Sequence, residues 1–194
     1  MKRKQTNGRT RRRGRIAVRR IAFVGVMAAM ICAVSYLAFP LFGSRVHFGN
    51  TLCLLSGLLF GPWLGGLSAG LGSFLFDVIS GYDFVEALIT FGSKFIMAMT
   101  AGLILGIVRR ADTKRRTVFA VIGSVTGAWV YVALYMVKSF FKNQIVAGLT
   151  PDAALTAALL EKLPASALNA VFAMVCAPLL WLALLPVTRR YRLD

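Results

Sequence analysis

The chain has 194 residues, 58% of them hydrophobic, a mean hydropathy of +0.71 and a formal net charge of +16. That apolar share is far above a soluble domain's, and at roughly 20 residues per span the length holds one bundle of about six membrane helices, with no room for a soluble catalytic domain. The charge argues against nucleic acid by its location: 18 of the 23 Lys and Arg lie in residues 1–20, Arg109–Arg116 and the C-terminal tail, each flanking an apolar run as cytoplasmic anchors do.

Residues 1–16 read as a basic cytoplasmic tail without fixed structure, and 17–188 as a six-helix membrane domain. The first span, 17–39, repeats Gly25, Ala29 and Ala33 every four residues, a small stripe behind a basic cluster that is expected to serve a partner helix. From Val46 to Gly81 the chain is almost purely apolar, is broken at Gly61-Pro62, and ends near the carboxylate Asp77. We read it as two spans, 46–61 and 63–80, although Thr51–Gly61 covers only about 17 Å at 1.5 Å per residue. Charge decides the count. One crossing would put the Arg109–Arg116 loop and the C-terminus on the side opposite the basic N-terminus, whereas two crossings bring that loop and both termini inside. Five of the seven acids (Asp77, Asp83, Glu86, Asp152, Glu161) then lie at or near the outer face.

The fourth span, 84–108, sets Glu86, Thr90 and Lys94 four residues apart on one face, from its outer end to near mid-membrane. The fifth, 116–140, carries Gly123 and Gly127 and continues that face through Tyr131 and Tyr135, with Lys138 beyond. In the connection 141–163, Thr150-Pro151-Asp152 marks a helix start. The amphipathic run after it is expected on the outer surface as a lid or an interfacial helix, or else as a plain connector. The sixth span, 164–187, brings in Asn169 from outside, and 189–194 form a second basic tail. The expected fold is an all-α integral membrane bundle of six transmembrane helices with both termini cytoplasmic. Small residues of the second to fifth spans, among them Gly57, Gly65, Ala98, Gly102 and Gly106, are expected to pack its helices together.

Polar side chains inside spans are expensive and mark function by default. Asp77, Glu86, Thr90, Lys94, Tyr131, Tyr135 and Asn169 all fall in the outer half or at the midplane, and the inner half offers nothing comparable. Such residues would line a cavity open to the outside that suits a small polar or aromatic solute. Lys94 either contacts that solute or pairs with Asp77 or Glu86 to hold the bundle, because an unpaired lysine at that depth costs several kcal/mol. The tyrosines either stack on a ligand or anchor at the interface. His47 and Arg45 either gate the cavity or face water. Cys32, Cys53 and Cys176 have no paired spacing, so neither a disulfide nor a metal site is expected.

The segment GNTLCLLSGLLFGPWLGGLSAGLGSFLFD, followed by the lysine of TFGSKFIMAMTAGLILG, resembles the substrate-binding S components of energy-coupling factor (ECF) vitamin transporters. The resemblance covers residues from about 16 to 188 and is nearest to riboflavin-type and related members. Gly49-Asn50, the Gly61-Pro62 break, Gly70-x-Gly72 leading to Asp77, and Lys94 carry it. Arg20-x4-Gly25-x3-Ala29-x3-Ala33 looks like the first-helix motif that these proteins present to their coupling partner, with glycine at 25 where alanine is commoner.

The resemblance implies a multi-pass protein of the bacterial plasma membrane that captures a vitamin or precursor from outside: a riboflavin-like heterocycle, pantothenate or similar. It adds Asn50 to the binding residues and implies docking on a membrane T component driven by two cytoplasmic ATPases. The chain has no GxxxxGK[ST] phosphate loop, so ATP hydrolysis falls to those partners, and no cofactor is expected. An enzyme acting on lipid would need a nucleophile–base pair or carboxylate cluster near the head groups; the inner half has none, and Glu86 with His47, the only outer acid–base pair, is too thin to carry that reading. A self-sufficient secondary transporter usually shows an internal repeat, which the two halves lack. A structural or assembly subunit without a ligand is the other alternative. It predicts that replacing Lys94 alters stability and no solute affinity.

Overall fold

The computed structural model describes residues 3–41, 44–145 and 148–191. Among them are six α-helices: α1 (Arg3–Ser35), α2 (Gly49–Ile79), α3 (Phe84–Ile107), α4 (Thr113–Ile145), α5 (Pro151–Ala157) and α6 (Leu163–Tyr191). An antiparallel hairpin of β1 (Ala38–Leu41) and β2 (Ser44–His47) links α1 to α2, and a π-helical turn, Ala158–Lys162, links α5 to α6. Gly49–Ile79, Phe84–Ile107, Thr113–Ile145 and Leu163–Pro186 are long and apolar enough to cross a membrane, and Arg20–Ser35 is a shorter apolar stretch.

The chain reverses direction inside α2. Gly61 takes φ 78° and ψ −177°, outside helical space, and Pro62 comes directly after it. Cys53 Sγ lies 3.7 Å from Ser73 Oγ, and the Ser56 hydroxyl donates to the Gly65 carbonyl at 2.9 Å. In a straight helix Cys53 and Ser73 would stand about 30 Å apart. Small residues permit the fold-back: a Cβ on Gly65 would come within 2.6 Å of the Gly57 nitrogen. The apolar run that charge divides in two therefore forms two antiparallel arms. Every residue of the first arm from Gly49 to Leu59 is buried. Protein surrounds that arm on all sides, so bilayer thickness does not set its length.

The six long segments pack through small residues. A Cβ on Gly102 of α3 would meet the Pro62 nitrogen at 2.7 Å, and one on Gly123 of α4 the Ala101 carbonyl at 2.9 Å. One end of the bundle collects the basic segments. There Phe23 of α1 stacks on Phe60 beside the reversal, at 5.7 Å, and Arg116 of α4 lies 5.6 Å over the ring of Trp181 of α6. On α1, Ala28 and Ile31 press on Gly72, while Gly25, Ala29 and Ala33 are exposed on another side.

Several boundaries differ from the sequence reading. α1 is helical from Arg3, so the segment expected to lack structure extends the first helix; arginine and lysine are good helix formers. Ala38–Leu41 and Ser44–His47 form the hairpin strands instead of prolonging the first span and opening the second. Pro40 pairs with Arg45 there, and a two-stranded ribbon has an outer edge where proline's missing donor is harmless. α4 runs past 140 to Ile145. α5 starts at Pro151 with Asp152 in its first turn, as the sequence indicates.

Candidate functional site

The site is built at the end opposite the basic segments. α3 starts there from a fixed cap, with the Asp83 carboxylate accepting from the Val85 N–H at 3.0 Å. From that start Glu86, Thr90 and Lys94 descend one face at helical spacing. α4 answers with Tyr131, Tyr135, Lys138 and Lys142. Together with Asp77 from the second arm of α2, His47 from β2 and Asn169 from α6, these two faces enclose a cavity of about 500 Å³. Ser35, Ser73, Tyr82, Ser139, Asn143 and Ser166 add to a wall whose residues are mostly polar, although their polar and apolar surfaces are about equal in extent.

Lys94 is 3% exposed. Its ammonium donates to Asn50 Oδ1 and stands 3.6 Å from the centroid of the Tyr131 ring, a close cation–π contact. The ion pair with Asp77 or Glu86 that the sequence allows does not form within 4 Å. Asn50 stands behind Lys94, 1% exposed, and its Nδ2 has no hydrogen-bond partner among the described residues. The rings of Tyr131 and Tyr135 stack at 6.0 Å and 28°.

Asp77 is buried at the cavity wall and makes no ion pair with a described residue. It meets the Thr90 hydroxyl, which accepts in turn from Lys138 Nζ at 3.3 Å. Glu86 is occupied at the rim, 2.7 Å from Lys142 Nζ and 3.9 Å from Lys138 Nζ. Asn169 fastens the hairpin to α6: its Oδ1 accepts the His47 N–H at 2.8 Å, while His47 Nδ1 accepts the Gly49 N–H at 3.2 Å.

The structure thus brings Asp77, Glu86, Thr90, Lys94, Tyr131, Tyr135 and Asn169 to one cavity and sets Asn50 behind it. Sequence reasoning missed Lys142, Asn143 and Lys162 and gave Lys138 no role, because it closed the fifth span at 140 and treated residues 141–163 as a connection. The signal was present: the Tyr131 and Tyr135 face continues to 138–139 and 142–143 in helical steps. The half next to the basic segments is also less bare than expected. A cleft of about 160 Å³ opens there beside the Gly61-Pro62 reversal, with Arg109 and Arg116 on its wall. Among the described residues no three His, Cys, Asp or Glu side chains are grouped to hold a metal.

Chemically the large cavity offers donors, acceptors and ring faces, which bind a solute. A search of curated proteins finds no match. The family profile described as ECF-type riboflavin transporter, S component, matches residues 15–185, a range that includes both arms of α2 and every helix walling the cavity. That is a family of transporter subunits and not of enzymes, and the four long apolar helices accord with a multi-pass membrane protein. The chain belongs to the S components of ECF-type riboflavin transporters.

Proposed function

We propose that this chain captures a flat, water-soluble vitamin of the riboflavin kind from outside a bacterial plasma membrane. It then hands the ligand inward through a T component and two cytoplasmic ATPases. The observation that carries this reading is the polar cavity of about 500 Å³ at the end away from the arginine-rich segments. Basic segments favour the cytoplasmic side, so the mouth faces outward. The volume lies within the range of small-molecule pockets.

Lys94, Asp77 and Thr90 supply donors and acceptors to the edge of a heterocycle, and Tyr135 with Tyr131 supplies ring surface. Asn50 positions Lys94, Glu86 orders the rim lysines, and Asn169 holds the hairpin at the mouth. Family membership favours a flavin over the other vitamins. The exposed Gly25, Ala29 and Ala33 stripe of α1 is unused by the chain's own packing. Such a stripe allows a second helix to approach closely, which suits the T component.

The test is titration of the detergent-purified chain with riboflavin, read by quenching of flavin fluorescence, with native mass spectrometry for any co-purified molecule. Saturable binding of one flavin per chain is expected, weakened in Lys94→Met. No binding of riboflavin or of a panel of water-soluble vitamins would overturn the reading in favour of a structural subunit.

A further inference from the structure

We infer that the ligand favoured by this cavity carries an acid group, in the first instance a phosphate ester, held at the rim by Lys138 and Lys142. This rests on the flavin reading above. Lys94, Lys138 and Lys142 line the cavity against two carboxylates, Asp77 and Glu86. One carboxylate, Glu86, serves two ammonium groups, at 2.7 Å from Lys142 and 3.9 Å from Lys138. The other contact of Lys138 is a neutral hydroxyl, Thr90, at 3.3 Å. Asp77 also acts on Lys138 from across Thr90, so three ammonium groups, those of Lys94, Lys138 and Lys142, stand against two carboxylates; in a concave site with protein walls that leaves a local positive potential, which an arriving anion relieves.

The helix also sets the direction. Tyr135 and Lys142 lie on one face of α4, seven residues or about 10 Å apart along its axis. A tricyclic ring lodged against the tyrosines would send its polyol side chain toward the rim. A terminal phosphate there meets both ammonium groups, with Asn143 as a neutral donor beside them. Charge-assisted bonds of this kind are roughly twice as strong as neutral ones. A neutral flavin leaves the surplus charge uncompensated.

The experiment compares riboflavin with riboflavin 5′-phosphate by titration of the full chain in nanodiscs at low and high salt. The phosphate ester is expected to bind about tenfold more tightly at low salt, the ratio of one good charge-assisted contact. That advantage shrinks at high salt and in a Lys138→Gln, Lys142→Gln double variant. If riboflavin binds as tightly as the ester or more tightly, the inference is overturned and the flavin reading stands. If the ester's advantage survives both high salt and the double variant, the acid does not sit at this rim and the assignment falls. If neither compound binds, both readings fall together.

Discussion

Lys94 and Asn50, 44 positions apart in the chain, meet in a buried hydrogen bond that joins the fourth of the long segments to the first arm of α2. The ammonium's direct contacts among the described residues are neutral, an amide oxygen and the Tyr131 ring, and Asp77 acts on it only from a distance. Asp77 and Glu86 both stay beyond ion-pair distance of it. A buried cation held by neutral partners keeps an unspent electrostatic attraction for a ligand's acceptor atoms, which a salt bridge would have cancelled.

Lys94→Met is therefore expected to weaken flavin binding at least about tenfold and to lower stability by about 1–3 kcal/mol, because it strands the buried Asn50 amide. Asn50→Leu is the harsher change for stability, since it leaves the buried ammonium with only a ring for company. Pairing Lys94→Met with Asn50→Leu removes both polar groups and should recover most of the stability without recovering binding. Thermal unfolding and flavin titration of the three variants check this. A double variant that regained flavin affinity would show that the pair serves the fold alone.

Gly102 and Gly106 lie one turn apart on α3 and should respond in opposite ways to alanine. A Cβ at Gly102 would meet the Pro62 nitrogen at 2.7 Å and the Gly57 carbonyl at 2.8 Å, backbone atoms that cannot swing aside. Gly102→Ala is expected to cost about 1–3 kcal/mol through overpacking. A Cβ at Gly106 would meet nothing within 4 Å. Gly106→Ala should leave stability unchanged or raise it by up to about 1 kcal/mol through helix propensity. Unfolding midpoints of the two variants in one detergent decide the matter.

The bundle was legible because its determinants are local: apolar runs, a Gly-Pro break, and basic clusters that fix how often the chain must cross. The hairpin was not, since Phe39-Pro40-Leu41 has no alternating pattern and its pairing is set by the segments it joins. Along α4 the polar run KSFFKNQ reads as the end of a span, yet the helix continues because Lys138, Lys142 and Asn143 face a polar cavity and not lipid. The residues of that cavity were found by their expense in a membrane. Their pairing was beyond reach: charge alone nominated Asp77 or Glu86 for Lys94, and the true partner is a neutral amide on an element that packs there only once the chain has reversed at Gly61.

The exposed stripe of α1 gives a prediction separate from ligand binding. Ala29→Leu adds bulk on a face that the chain's own helices do not cover. Flavin affinity and thermal stability of the isolated chain should stay at wild-type values, within about 0.5 kcal/mol for an exposed site. Co-purification with a T component should fail, because the small-residue groove that admits a second helix is filled. Normal co-purification of the leucine variant would move the docking surface elsewhere.

Glu86→Gln separates an electrostatic rim from a mechanical one. Glu86 bonds Lys142 at 2.7 Å across α3 and α4, and Lys142 is 52% exposed, so breaking the pair should cost under about 1 kcal/mol of stability. If the pair only clamps the two helices, Glu86→Gln and Lys142→Gln should both loosen the rim and weaken ligand binding alike. If the rim recognises an anion, the two variants must differ in sign. Removing the carboxylate releases both ammonium groups and should tighten riboflavin 5′-phosphate at low salt, whereas removing the Lys142 charge should weaken it. Titrations of both variants at two salt concentrations read that sign directly, and equal losses would leave Glu86 a strut between helices with no part in recognition.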